Sequence, residues 1–152
     1  MNTPMTYIRQ AIPEDVPWIL DLGRALHDEA PTMRWLPEDE LRRYRVVSTV
    51  IQSSDALFVV LDDQSGFIIG HVEQHAWHGA TVVYEDILYI IPDKRKTYRA
   101  KILLQALFDW ARLIGAAEVV VEITSGIETE KSVRFCEKMG MEVIGTVLRM
   151  EV

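Results

Sequence analysis

Hydrophobic and polar positions along this chain alternate between two periods, and the switches between them set the predicted elements. Tyr7-Ile8-Arg9-Gln10-Ala11 reads as a short strand. Pro13-Glu14-Asp15 then opens a helix with acids in its first turn, and Val16, Ile19, Leu22 and Leu26 line one face of it. Residues 29–37, bounded by prolines, form a loop. A second helix runs over 38–52 with Leu41, Tyr44, Val47 and Ile51 aligned. The period then falls to two. Residues 56–61 form a strand, Asp62 to Gly66 a hairpin turn, and Phe67 to about Ala76 a returning strand. His78-Gly79 turns into a third strand over 82–91, which stops at Pro92.

Helical spacing returns with Leu103, Leu107, Trp110, Ala111 and Ile114. Residues 118–123 form a strand whose three consecutive valines suit burial on both faces. A helix follows over 128–139, closed by Gly140. Residues 142–151 read as a final strand or strand pair around Gly145. The predicted order is β-α-α-β-β-β-α-β-α-β. The three strands joined by turns should be antiparallel, and the strand–helix–strand unit from 82 to 123 parallel with a right-handed crossover. This is a mixed α/β sheet in one domain over residues 1–152.

Composition narrows the class. The chain has 152 residues, enough to bury roughly 68–70% of its unfolded surface without staples. A lone cysteine excludes an internal disulfide. No apolar run reaches the ~20 residues that span a bilayer. The first residues have neither a basic nor an apolar leader region, so a cytoplasmic location is expected, with no membrane partner. A net charge of −7 disfavours nucleic-acid binding.

Against that acidic background, Lys94 to Lys101 carries five cations in eight residues, between a strand and a helix start. Backbone N–H groups at a helix start are unpaired and attract anions. Arg95, Arg99 and Lys101 are candidate charge donors, with the amides from about Lys96 to Lys101 as a cradle for a phosphorylated ligand. Cations at a helix start oppose the dipole by about 0.3–1 kcal/mol each, which an anion would offset. His71 and His75, four apart on a strand, are separated by ~13 Å, too far for one ion; with His27 elsewhere, no metal is expected.

The whole order resembles the GNAT superfamily of acetyl-CoA-dependent N-acetyltransferases. In that family a proline-marked strand end is followed by Arg/Gln-x-x-Gly-x-Gly/Ala. Here Arg95-Lys96-Thr97-Tyr98-Arg99-Ala100 stands in that place, with Tyr98 where glycine is usual. Val133 to Met141 is similar to the family's Phe-Tyr-Glu-Lys-Leu-Gly-Phe segment, and Ile8 to Asp15 to its opening. The resemblance implies a splayed parallel strand pair at the centre, with acetyl-CoA as co-substrate in the gap. It also implies pyrophosphate on the amides of Arg95, Lys96, Thr97, Tyr98, Arg99, Ala100 and Lys101. Backbone near Leu88, Tyr89 and Ile90 would polarise the thioester. Tyr98 must then point away or change the ligand's approach.

The acceptor implied is an amine, on a small molecule or a protein lysine, attacking acetyl-CoA directly in a ternary complex. Asp86 aligns with the family's usual strand carboxylate base, and Glu85 is one residue earlier; adjacent strand residues face opposite sides, so only one should address the acceptor. Cys136 stands where a tyrosine often protonates the departing thiolate, though a buried inert thiol on the Val133, Phe135 and Met139 side of the helix is the commoner outcome for such a cysteine. The alternative is a catalytically inactive fold of this type that binds a partner protein. A homodimer is compatible with the resemblance. Replacing Arg95 and Arg99 together by Glu is expected to weaken coenzyme binding and leave the fold intact.

Overall fold

A computed structural model describes residues 5–152. Its elements are β1 (Ile8–Gln10), α1 (Val16–Glu29), α2 (Glu40–Gln52), β2 (Ala56–Leu61), β3 (Gly66–Gln74), β4 (Thr81–Ile90), α3 (Arg99–Leu113), β5 (Glu118–Val121) and α4 (Thr129–Lys138). Short 3-10 turns at Pro13–Asp15 and Pro92–Lys94 precede α1 and α3. The strands form one sheet in the order β1-β2-β3-β4-β5. The first four are successively antiparallel, and β4 pairs with β5 in parallel. Among the described residues no helix is long and apolar enough to cross a membrane.

Each face of the sheet carries its own core. On one side Val16, Ile19 and Leu26 of α1 and Val47 of α2 pack on Phe58, Phe67, Ile69 and Tyr89. On the other, Leu103, Leu104 and Leu107 of α3 and Cys136 of α4 cover Ile68, Val83 and Ile90. The three α3 leucines are fully buried, each worth about 1.5–3 kcal/mol of transfer free energy. Gly70 lets α3 approach closely, since a Cβ there would collide with Leu107. The start of α1 is fixed by Asp15. Its buried carboxylate accepts both Arg9 nitrogens at 2.7 Å, the Ile12 amide and the Trp18 indole. Those bonds, Arg9 foremost, outweigh burial and hold its pKa at about 2.

Two expectations change. Residues 142–151 form no strand, and Val143, Ile144, Val147, Leu148, Met150 and Val152 stand exposed. Alternation predicted an extended backbone but could not supply a partner, and no described segment pairs with it. Consequently the parallel pair is not central: β5 is an edge strand. The splay itself is present. β4 and β5 pair only from Val82–Glu118 to Glu85–Val121, after which β4 continues to Ile90 without β5 beside it.

Candidate functional site

The divergence of β4 from β5 opens a cleft of about 390 Å³. Residues Glu85 to Ile90 form one wall and Val121 to Ser125 the opposite one. Phe135 and Cys136 of α4 line it from one side, Leu26 and Met33 from the other. Its mouth meets Arg95, Lys96, Thr97 and Ala100. Across it, Thr32 donates from Oγ1 to the Thr124 carbonyl at 2.7 Å. Arg149 from the C-terminal segment donates to the Thr32 carbonyl at 2.7 Å and lies over Trp35.

A register irregularity organises the acidic residues. Ile69 pairs with Ile87 and Gly70 with Glu85, so Asp86 has no partner across the β3–β4 ladder. Before this bulge Val83 faces α3; after it Leu88 and Ile90 do. Glu85, two residues from Val83 and opposite Gly70, therefore points toward α3 and α4. Asp86 points to the other face. There its Oδ1 lies 2.7 Å from His71 Nδ1, and His71 Nε2 lies 3.0 Å from Glu73. Desolvation would lower the His71 pKa, but Asp86 and Glu73 outweigh it and raise it. The expected opposition of Glu85 and Asp86 is thus what the chain adopts, and both still line the same cleft. His71 was legible only as a strand histidine, because its contact with Asp86 spans two strands.

Glu85 differs from the other partly desolvated acids. Asp15, Glu29 and Asp63 each hold an arginine. The Glu85 carboxyl has no hydrogen bond or ion pair among the described residues. Desolvation, with Asp86 and then Glu122 nearby, pushes its pKa to about 8. Cys136, 9% exposed, has its thiol pKa raised by burial and by Glu85.

The two arginines of the cationic turn are engaged within the protein. Arg95 donates both terminal nitrogens to Glu29, at 2.5 and 2.8 Å, and its Nε to the Ile90 carbonyl at 2.8 Å. Arg99 is buried. It donates to Asp63 at 2.7 Å, to Thr6 Oγ1 at 2.9 Å and to Ser65 Oγ at 3.1 Å. Both guanidinium groups are held by the protein, because a cation beside buried surface is stable only when paired. The Tyr98 hydroxyl accepts the Thr6 amide at 2.6 Å, which turns the ring away from the cleft. Lys101 is exposed outside the cleft lining.

The backbone of the turn is free instead. Lys96 takes a left-handed φ of 62°, and the N–H groups of Lys96, Thr97, Ala100 and Lys101 have no acceptor among the described residues. With α3 starting at Arg99, these amides form an anion cradle at a helix N-terminus. Elsewhere, His27, Asp28 and Glu38 bring potential metal ligands within 4.8 Å of one another. The His27 ring is already held there by the Leu36 carbonyl at 2.9 Å and Glu38 at 3.2 Å.

Residues 21–141 match the profile of the Acetyltransferase (GNAT) family. No curated protein sequence matches the chain. The fold is similar to that of AAC(6')-Iy in complex with a bisubstrate analogue, CoA-S-monomethyl-acetylneamine (TM-score 0.78, 17% identity, 98% of this chain and 99% of that one). It is similar also to an acetyltransferase of Trypanosoma brucei (TM-score 0.75, 18% identity, 97% and 100%). A third neighbour is a transcriptional regulator from Bacillus halodurans (TM-score 0.79, 13% identity, 97% and 100%).

Proposed function

Because the chain belongs to the acetyltransferase (GNAT) family, we propose that it transfers the acetyl group of acetyl-CoA to a primary amine by direct attack within the β4–β5 cleft. The observation that carries this reading is the cleft itself. Unpaired amides at the start of α3 lie at one end, and an unpaired strand edge with two acids on opposite faces lies at the other. The pyrophosphate would rest on the amides of Lys96, Thr97, Ala100 and Lys101, with the Lys96 ammonium beside it. The pantetheine arm would run along β4 where β5 has diverged, pairing like an added strand near Leu88 to Ile90. A β4 amide there would polarise the thioester carbonyl.

An alkyl ammonium, with a pKa near ~10.4, must lose a proton before its nitrogen can attack. Asp86 is the base in this scheme. It lines the cleft on the face of α1 and α2, and His71 positions it. The His71 ring, held between Asp86 and Glu73, fixes the direction in which the Asp86 carboxyl points. The acidic side chains of Asp86 and Glu122 at the inner end favour a cationic acceptor over an anionic one. Small polyamines, aminoglycosides and protein lysines all meet that description.

Thermal unfolding with and without CoA tests the reading. CoA at one hundred times its dissociation constant should stabilise the protein by about 2.7 kcal/mol. Thiol release from acetyl-CoA across a panel of polyamine, aminoglycoside and lysine-peptide acceptors then identifies the amine. Stabilisation by CoA without turnover on any amine would favour an inactive partner-binding protein.

A further inference from the structure

We propose that Glu85 is the general acid that protonates the departing CoA sulfur, in place of Cys136; this rests on the acetyltransferase reading of the cleft. Elsewhere in the fold the acids that lose water, buried Asp15 and half-buried Glu29, are each given an arginine. Glu85 is given none. It lines a cleft, faces the α3–α4 side of the sheet, and lies on the opposite face of β4 from the base Asp86.

The groups around Glu85 all favour its neutral form. Asp86 on β4 and Glu122 just beyond β5 are acids. Cys136 on α4 is an uncharged thiol, and α3 presents Leu107 opposite Gly70. No cation reaches Glu85 from any of these elements. A carboxyl so placed holds its proton at neutral pH and can donate it. With a pKa of about 8 it is close to that of an ordinary thiol, ~8.5, which is where proton transfer in the transition state is most effective. Cys136 is the poorer donor, since burial pushes its thiol pKa upward.

The step balances. The bound ammonium first gives one proton through Asp86 to solvent; the neutral amine nitrogen then forms a bond to the acetyl carbon and gives its second proton to Asp86. The carbon–sulfur bond breaks, its electron pair goes to sulfur, and the Glu85 proton follows. The products are the amide and CoA thiol. Solvent then moves a proton from Asp86 to Glu85 and resets both. Strand alternation places the two consecutive acids on opposite faces of β4, so that they serve the two ends of one bond exchange.

The deciding measurement needs no acceptor. CoA is bound to the protein and its sulfur is titrated by thiolate ultraviolet absorbance from neutral to alkaline pH. An ionised Glu85 next to the sulfur holds the bound thiol up. Glu85→Gln should therefore lower the thiol pKa by about one unit or more, with CoA affinity at neutral pH unchanged. Cys136→Ala should leave the thiol where it is in the wild type. In turnover, kcat of the wild type should fall above pH about 8, and Glu85→Gln should remove that limb and lower kcat by about 10²-fold.

An unmoved thiol in Glu85→Gln overturns the assignment, as does a Cys136→Ala variant that lowers the thiol pKa instead. If Glu85→Gln does not fold, Glu85→Asp, which keeps the acid but shortens its reach, serves in its place. It should lower the bound thiol pKa by part of the same shift, and no change overturns the assignment. A wild-type protein that binds no CoA overturns this assignment together with the acetyltransferase reading, whereas bound CoA with an indifferent sulfur removes Glu85 alone.

Discussion

The turn at 92–101 and the strand that leads into it treat charge in opposite ways. The turn is dense in cations, yet its two arginines are engaged by acids far away in sequence. Arg95 holds Glu29, 66 residues distant, and Arg99 holds Asp63, 36 residues distant. The strand has two adjacent acids, and one of them, Glu85, has no countercharge. The two arginines of a like-charged cluster are thus paired within the fold, while two adjacent acids line a cleft and one of them is left without a countercharge. Folding pairs the charges that burial would otherwise penalise, and leaves unpaired those at which a ligand can act.

The largest effect should come from the strand. Asp86→Asn keeps the shape of the side chain and removes the base, so kcat should fall by about 10²–10⁴-fold while the melting temperature and CoA affinity stay near wild type. An equal loss of CoA affinity would show Asp86 to be scaffold and erase the contrast.

Next in size is the turn. Arg99→Met leaves solvent-screened Asp63 and buried Ser65 and Thr6 without their common donor and should cost about 1–3 kcal/mol in urea unfolding. The same ion pair predicts an acid limb. Burial alone would raise the Asp63 pKa, but bonds from Ser65, Arg99 and Thr6 bring it from 3.8 to about 2. A depressed folded pKa contributes stability that is fully present above 3.8 and lost as pH falls toward 2. In Arg99→Met that loss should begin at higher pH. Replacing Arg95 and Arg99 together by Glu should therefore unfold the protein rather than leave the fold intact. Wild-type stability in Arg99→Met would return that arginine to the list of candidate ligand donors.

Much of the architecture was legible because its signals are local. The periods of the helices, the Asp62–Gly66 turn, the stop at Pro92 and the Gly140 helix end need only neighbours in sequence, and each lies where expected. Glu85 and Asp86 on opposite faces followed from strand alternation. What was not legible depends on distant partners. Nothing near Arg99 names Asp63 as its acceptor, and nothing near Asp86 names His71. The tail at 142–151 alternates like a strand, but a strand exists only beside another, and β5 leaves its outer edge unpaired by any described residue. Residues 1–4 lie outside the described structure.

The smallest effect tests the residue that made the turn look disabled. Tyr98 stands where a glycine would let a diphosphate reach the backbone, so an aromatic ring there reads as an obstruction. Its hydroxyl instead accepts the Thr6 amide at 2.6 Å, and its ring lies 5.7 Å from the Arg99 guanidinium carbon. The side chain is thus a tie between the turn and the N-terminal segment. Tyr98→Phe retains the ring over Arg99 and strands one partly buried amide. It should cost about 0.5–1.5 kcal/mol of stability and leave the dissociation constant for CoA unchanged. The reverse result, weaker CoA binding at unchanged stability, would place the hydroxyl on the ligand. The turn would then grip its anion by a side chain, and the contrast between a structural turn and a reactive strand would fail at the point where the two meet.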